Sequence, residues 1–235
     1  MHRFLFLILC SVCSHATYAG CALDRQTLGA RYTVVFTDAK GVSQESEVTI
    51  WRMKSRVLWE YPLSGIAESW HRNVREQLQL VRYFDQYDRG IEYYPADMPA
   101  YDPQSWERLW QLVPAAELES LEAGATHGDK CQLERGYSGT GHGLEVSGAW
   151  LGAAGLPSRW KTRATGASSS WQLKELVTDA KAVAQAFDSR EHYQLIDYAD
   201  IGDNESDPLL LKMASLGVVE HKVQAPRVAH GGHNH

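Results

Sequence analysis

Residues 31–36 read RYTVVF, residues 56–61 read RVLWEY and residues 89–94 read RGIEYY. In each run the bulky side chains fall on every second position: Tyr32, Val34 and Phe36, then Val57, Trp59 and Tyr61, then Ile91 and Tyr93. Alternation with period two marks strands with one buried face. Turn signals stand between the runs at Asp38–Gly41, Lys54-Ser55, Pro62–Gly65 and Asp88–Gly90. Connections this short make neighbours antiparallel, so residues 31–94 predict a meander in one curved sheet. Within it, Leu78, Leu80 and Phe84 alternate with Gln79, Val81 and Tyr83, which predicts a strand covered on both faces or a barrel wall. The charges Arg72, Arg75, Arg82 and Arg89, interleaved with Glu76, Asp85 and Asp88, read as a solvated, salt-bridged face.

The period then changes. Trp106, Leu109, Trp110, Val113, Leu118 and Leu121 recur at spacings of three and four, which predicts a helical region over Ser105–Leu121. Pro114 should split it into two short helices. Gly124–Gly128 reads as a loop. Strands are expected at Cys131–Tyr137, Leu144–Leu151, Ser158–Thr165 and Ser170–Thr178, the first two joined through Gly139-Thr140-Gly141-His142-Gly143. That loop lacks the following helix and the lysine of a phosphate loop, which excludes nucleotide binding by this route. Asp179–Phe187 predicts a helical turn. Pro208–Leu216 predicts a helix, with Asp207 as N-cap and Gly217 as its stop. The expected fold class is α+β, mainly β: a single curved antiparallel sheet or half-barrel covered by one or two short helices.

A 44% hydrophobic share with 8 Trp and 11 Tyr supplies a sizeable core and excludes a disordered chain. The net charge of −6 gives no electrostatic attraction to nucleic acid, and none is expected as a partner. Met1-His2-Arg3 followed by the apolar run Phe4–Cys13 has the form of a secretory leader. That run is too short to span a bilayer, and no later run is long enough, so no transmembrane span is expected. The organisation expected is a signal peptide over residues 1–19, one β-rich half-barrel domain over 22–217 and a flexible histidine-rich tail over 218–235. The expected location is outside the cytoplasm, in a bacterial periplasm.

Two processing outcomes compete at the leader's end. Thr17-Tyr18-Ala19 fits ordinary cleavage after Ala19, while Ala19-Gly20-Cys21 resembles the end of a lipobox, which would make the chain an outer-membrane lipoprotein lipidated at Cys21. Ordinary cleavage leaves Cys21 and Cys131 as an even pair in an oxidising compartment. A disulfide between them would close a loop of about 110 residues, worth at most ~4–5 kcal/mol in the chain-entropy picture. Lipidation would leave Cys131 a free thiol, so the two outcomes exclude each other.

Candidate chemical sites are sparse. Five acids crowd the string from Asp197 to Asp207, and Asp203, Glu205 and Asp207 have the alternate spacing of a calcium loop. Pro208 and Ala214 stand where such a loop needs Gly and a bidentate Glu, so it is not an EF-hand. An acidic loop capping the next helix is the competing reading. His221, His230, His233 and His235 make a histidine-rich end whose imidazoles suit copper, zinc or nickel, with nothing in the spacing to fix a geometry. No serine sits in a Gly-x-Ser-x-Gly elbow, and no catalytic residue is assigned.

The order of elements, together with Leu144-Glu145-Val146, Trp150-Leu151, Leu156-Pro157 and Trp171-Gln172-Leu173, resembles the lipoprotein-carrier superfamily over Arg31–Thr178. The resemblance implies a half-open β-barrel whose concave apolar face, lidded by helices, holds acyl chains. On that basis the expected function is that of an exported, non-enzymatic carrier. Trp51, Trp59, Trp70, Tyr83 and Tyr93 would line its groove, and an apolar ligand or lipid-modified protein would be its partner. Two alternatives remain at this stage: a metal-handling accessory protein using the tail or the acidic loop, and a structural partner of another envelope protein.

Overall fold

The computed structural model describes residues 21–98, 103–203, 207, 209 and 210. The first half is a meander of β1 (Thr27–Thr37), β2 (Ser43–Met53), β3 (Arg56–Tyr61), β4 (Ile66–Arg72), β5 (Leu78–Phe84) and β6 (Arg89–Tyr93). Two short helices follow, α1 (Pro103–Gln111) and α2 (Ala115–Ser120). A second meander comprises β7 (Glu122–His127), β8 (Glu134–Gly141), β9 (Leu144–Leu151), β10 (Leu156–Ala164) and β11 (Ala167–Val177). Helix α3 (Ala180–Asp188) and strand β12 (Gln194–Asp197) complete the elements.

Among the described residues these strands form one open, curved sheet in the order β12-β6-β5-β4-β3-β2-β1-β11-β10-β9-β8-β7. The two meanders meet where β1 pairs antiparallel with β11, Gly29 opposite Val177. β12 returns to pair parallel with β6, Ile196 opposite Ile91. The expected fold class is the one observed.

Each turn of side chains has a local cause. His142 and Gly143 both adopt positive φ, 51° and 76°, which is the backbone a two-residue hairpin between β8 and β9 requires. Three aromatic rings lie on a glycine directly across the ladder: Trp51 over Gly29, Tyr83 over Gly90 and Trp160 over Gly148. The missing Cβ leaves room for the ring, so each pair makes a flat, dense contact in the sheet. Pro114, buried, ends the first helical segment and opens the second, as expected.

The main core lies on the inner face of the sheet, beneath α1 and α2. It includes Ile50, Trp59, Trp70, Leu80, Ile91, Trp160 and Trp171, with Leu109, Leu112 and Val113 descending from the helical segment. A smaller cluster lies on the outer face, where Val183 and Phe187 of α3 cover Trp51, Leu58 and Ala67. Val183 and Phe187 are four apart on α3, and Asp179 caps that helix by accepting from the Lys181 backbone N–H at 2.9 Å.

Several boundaries differ from expectation. Residues 122–127 form edge strand β7, not a loop; every residue in it is exposed, so no apolar alternation announces it. Cys131 sits in a short 3-10 turn and the strand after it begins at Glu134. β12 has only four residues and carries no periodic signal. The expected leader, the tail and most of the 208–216 helix lie outside the described residues. At that helix's start, Asp207 accepts from the backbone N–H groups of Leu209 at 2.8 Å and Leu210 at 3.4 Å. No helix among the described residues is long and apolar enough to cross a membrane.

Candidate functional site

The inner face of the curved sheet carries a layer of buried rings. Trp171 on β11 meets Tyr32 edge-on at 5.7 Å and Trp59 edge-on at 6.1 Å, and Trp59 stacks on Tyr61 at 6.4 Å. Trp160 stands across the ladder from Trp171. The lid over this floor is α1 and the turn after it. Leu109 is fully buried, and its carbonyl accepts the Trp59 indole N–H at 3.0 Å. Trp106 and Trp110, one turn apart on α1, are each backed by a guanidinium: Arg72 at 4.9 Å and Arg52 at 5.1 Å from the ring centres. The lid closes at Leu112, which takes the left-handed backbone at φ 70° while its side chain is buried.

Two cations reach into the inner face, and they are held differently. Arg82 gives two hydrogen bonds to one oxygen of Glu68, at 2.7 and 3.0 Å. Burial works against its charge, but the Glu68 carboxylate outweighs that and holds its pKa above the ordinary value. Beside this pair the Tyr61 hydroxyl is pushed well up, by burial first and then by Glu68. Arg52, by contrast, is fully buried and donates to two backbone carbonyls, Ala154 at 2.9 Å and Gly155 at 3.1 Å. Its Nε has no hydrogen-bond partner, and no carboxylate pairs with it among the described residues. Burial lowers its pKa to about 9.

The five aromatics expected to line one groove do not share a face. Trp59, Trp70 and Tyr93 belong to the inner cluster, whereas Trp51 and Tyr83 belong to the outer one under α3. The reason is register: Trp51 stands opposite Leu58 and Ile50 opposite Trp59, so the short turn between β2 and β3 reverses the odd-even pattern. Trp70 and Tyr93 lie in the cluster's interior, 0% and 1% exposed, so only displacement of the chain over them would bare them. The charged face predicted over 72–89 is also divided. Arg72 pairs with Glu76 at the surface, Arg82 turns inward to Glu68, Arg89 reaches Asp207, and Asp85 meets Arg190.

Cys21 and Cys131 form a disulfide with Cα atoms 5.0 Å apart, tying the segment before β1 to the connection between β7 and β8. In this arrangement Cys21 has no free sulfur for a lipid. Of the residues considered for metal, His221, His230, His233, His235 and Glu205 lie outside the described residues, and so does the side chain of Asp203. The Asp207 carboxylate is engaged by Arg89 at 2.8 Å and by the helix start, so a cation there would compete with a guanidinium. Among the described residues no three His, Cys, Asp or Glu side chains come together as a metal would need. A trough of about 520 Å³ runs across β8–β11, and its lining includes Gly148, Trp160 and Trp171 together with Ser147, Lys161 and Gln172.

Sequence reasoning missed Arg52 and the Glu68–Arg82 pair. Arg52 interrupts the apolar run Thr49-Ile50-Trp51-Arg52-Met53 in phase with the inward Ile50, which is the signal that marks it.

No protein-family model matches this chain, and no curated protein matches it. Solved structures do show likeness. PNGF-II aligns at 10% identity and a TM-score of 0.37, over 73% of this chain and 31% of PNGF-II. MucB aligns at 17% identity and a TM-score of 0.35, over 67% of this chain and 55% of MucB. MucB in complex with MucA from Pseudomonas aeruginosa aligns at 16% identity and a TM-score of 0.33, over 66% of this chain and 53% of that one. This chain therefore spans about a third of PNGF-II and about half of MucB. Likeness at this level carries no residue role across.

Proposed function

We propose that this protein is an exported, non-enzymatic carrier that takes an apolar chain against the inner face of its sheet when α1 and the turn after it lift away. The observation that carries this reading is the lid itself. The aromatic floor is covered by helices of nine and six residues inserted between β6 and β7, whose fastenings include an indole hydrogen bond and two cation–aromatic contacts. The disulfide suits an oxidising compartment, which fits export.

Energetics set the size of the guest. Leu109, Leu112 and Val113 of the lid and Leu121 after α2 are buried against the floor, at about 2 kcal/mol for each side chain exposed. A replacing alkyl chain contributes ~0.8 kcal/mol per methylene, so roughly ten methylenes are needed to break even. Short acyl groups should fail to load and long ones should succeed. The test is uptake by the delipidated protein of a graded series of alkyl ligands, followed by native mass spectrometry. Binding that appears only beyond about ten carbons supports the reading. No uptake at any length, with the fold intact by circular dichroism, removes it.

A further inference from the structure

We infer that the guest of this face is an amphiphile with an anionic head, and that Arg52 is the group that meets that head. The inference rests on the carrier reading above and names the chemistry of its ligand.

Four guanidiniums withdrawn from solvent among the described residues can be compared. Arg82 meets Glu68, Arg89 meets Asp207, and Arg190 meets both Glu60 and Asp85. Arg52 is the most deeply buried of the four, at 0% exposure, and among the described residues it meets no carboxylate. The carbonyls of Ala154 and Gly155 satisfy two of its donors but bring no charge to balance it. A buried cation left unbalanced costs several kcal/mol, a cost the other three guanidiniums offset with an acid. Arg25, whose guanidinium lies against Gly155, adds a further repulsion.

Position gives this cation its use. The Arg52 guanidinium sits over the Trp110 ring of α1, 5.1 Å from its centre, and α1 is the lid. Lifting the lid uncovers apolar floor and unbalanced cation together. Nε–H is a donor without a partner, so an oxygen anion meeting it gains a charge-assisted hydrogen bond. The alkyl part then lies along the floor of Ile50, Trp59 and Trp171, which begins two residues from Arg52 on the same face of β2. A carboxylate and a phosphate monoester share the required chemistry.

The experiment compares three ligands of one chain length on the delipidated full-length protein: hexadecanoic acid, hexadecyl phosphate and hexadecanol. One or both anions should bind roughly ten- to a hundredfold more tightly than the alcohol. Arg52→Met should bring the anions down to the level of the alcohol measured on the same variant, so that the anion-to-alcohol ratio of affinities falls to about one. The ranking of acid against phosphate identifies the source of the charge. If the alcohol binds as tightly as both anions, the assignment of Arg52 is wrong and the carrier reading stands. If none of the three binds, both fall. Should Arg52→Met fail to fold, the comparison on the unmodified protein decides the matter alone.

Discussion

Trp59 on β3 donates its indole N–H to the carbonyl of Leu109 on α1, 3.0 Å away, with both residues sealed from solvent. Leu109 lies in the last turn of α1, where carbonyls have no partner within the helix. The indole supplies the missing partner and makes the sheet floor the helix's cap. Trp59→Phe keeps most of the ring and strands the carbonyl. A loss of about 1–3 kcal/mol is expected in urea unfolding, with faster exchange of the backbone amides in α1. An unchanged midpoint would show that the bond contributes nothing.

Arg190 clasps the outer face. It forks onto Asp85 at 2.7 and 2.8 Å and reaches Glu60 at 2.8 Å, fixing the chain after α3 against β3 and the end of β5. Burial opposes its charge, but the two carboxylates outweigh that and raise its pKa. Arg190→Ala leaves two acids facing each other and should cost ~2–3 kcal/mol, at the low end for a buried pair because Asp85 is partly exposed. Arg190→Lys should recover only part of this, since a single ammonium cannot fork. Equal stability of the Lys and Ala variants would contradict the clasp.

Gly148 and Gly29 should tolerate no side chain. A Cβ at Gly148 would overlap the Trp160 ring and one at Gly29 the Trp51 ring. Gly148→Ala and Gly29→Ala are each expected to lower stability by about 1–3 kcal/mol through displaced rings. Thermal unfolding of the two variants, with tryptophan fluorescence as the probe, measures both the loss and the movement of the ring.

Strong alkali should unfold the protein cooperatively. Burial raises the pKa of Tyr32, Tyr61, Tyr83 and Tyr93 above the ordinary 10.0. Groups whose folded pKa is raised contribute stability that is complete below the unfolded value and is lost as pH climbs through the folded one. Arg52 works in the opposite sense, since its pKa falls to about 9 and its burial cost eases above that pH. Four tyrosines outweigh one arginine, so net stability should decline above about pH 10. Tyrosinate absorbance should rise together with loss of the far-ultraviolet signal. Smooth ionisation of these tyrosines with the fold intact would contradict their burial.

Much of this architecture was legible because burial writes itself into period. Val57, Trp59 and Tyr61 alternate against one core, and Trp106, Leu109, Trp110 and Val113 step along one helix face. Where burial is absent the signal is absent too: Glu122–His127 has both faces in solvent and reads as loop. The grouping of aromatics into a single groove failed for another reason. Within a strand the face follows from alternation, but across the turn at Lys54-Ser55 it follows from register, which pairs Trp51 with Leu58. Arg52 was passed over because a charge inside an apolar run reads as surface, and only its place beside Ile50 on the inward side gives it meaning.

The seam between β1 and β11 has a consequence for manufacture of the chain. Arg31 and Glu175 join across it although 144 positions separate them. During synthesis the first meander is complete long before β11 emerges, and one margin of β1 stays bare throughout that interval. A bare margin accepts any extended segment that arrives first, including one from a neighbouring copy. A pause while residues 95–166 are being made therefore endangers this protein more than an equal pause before residue 27, and swapped or clumped product should accumulate in proportion to that delay.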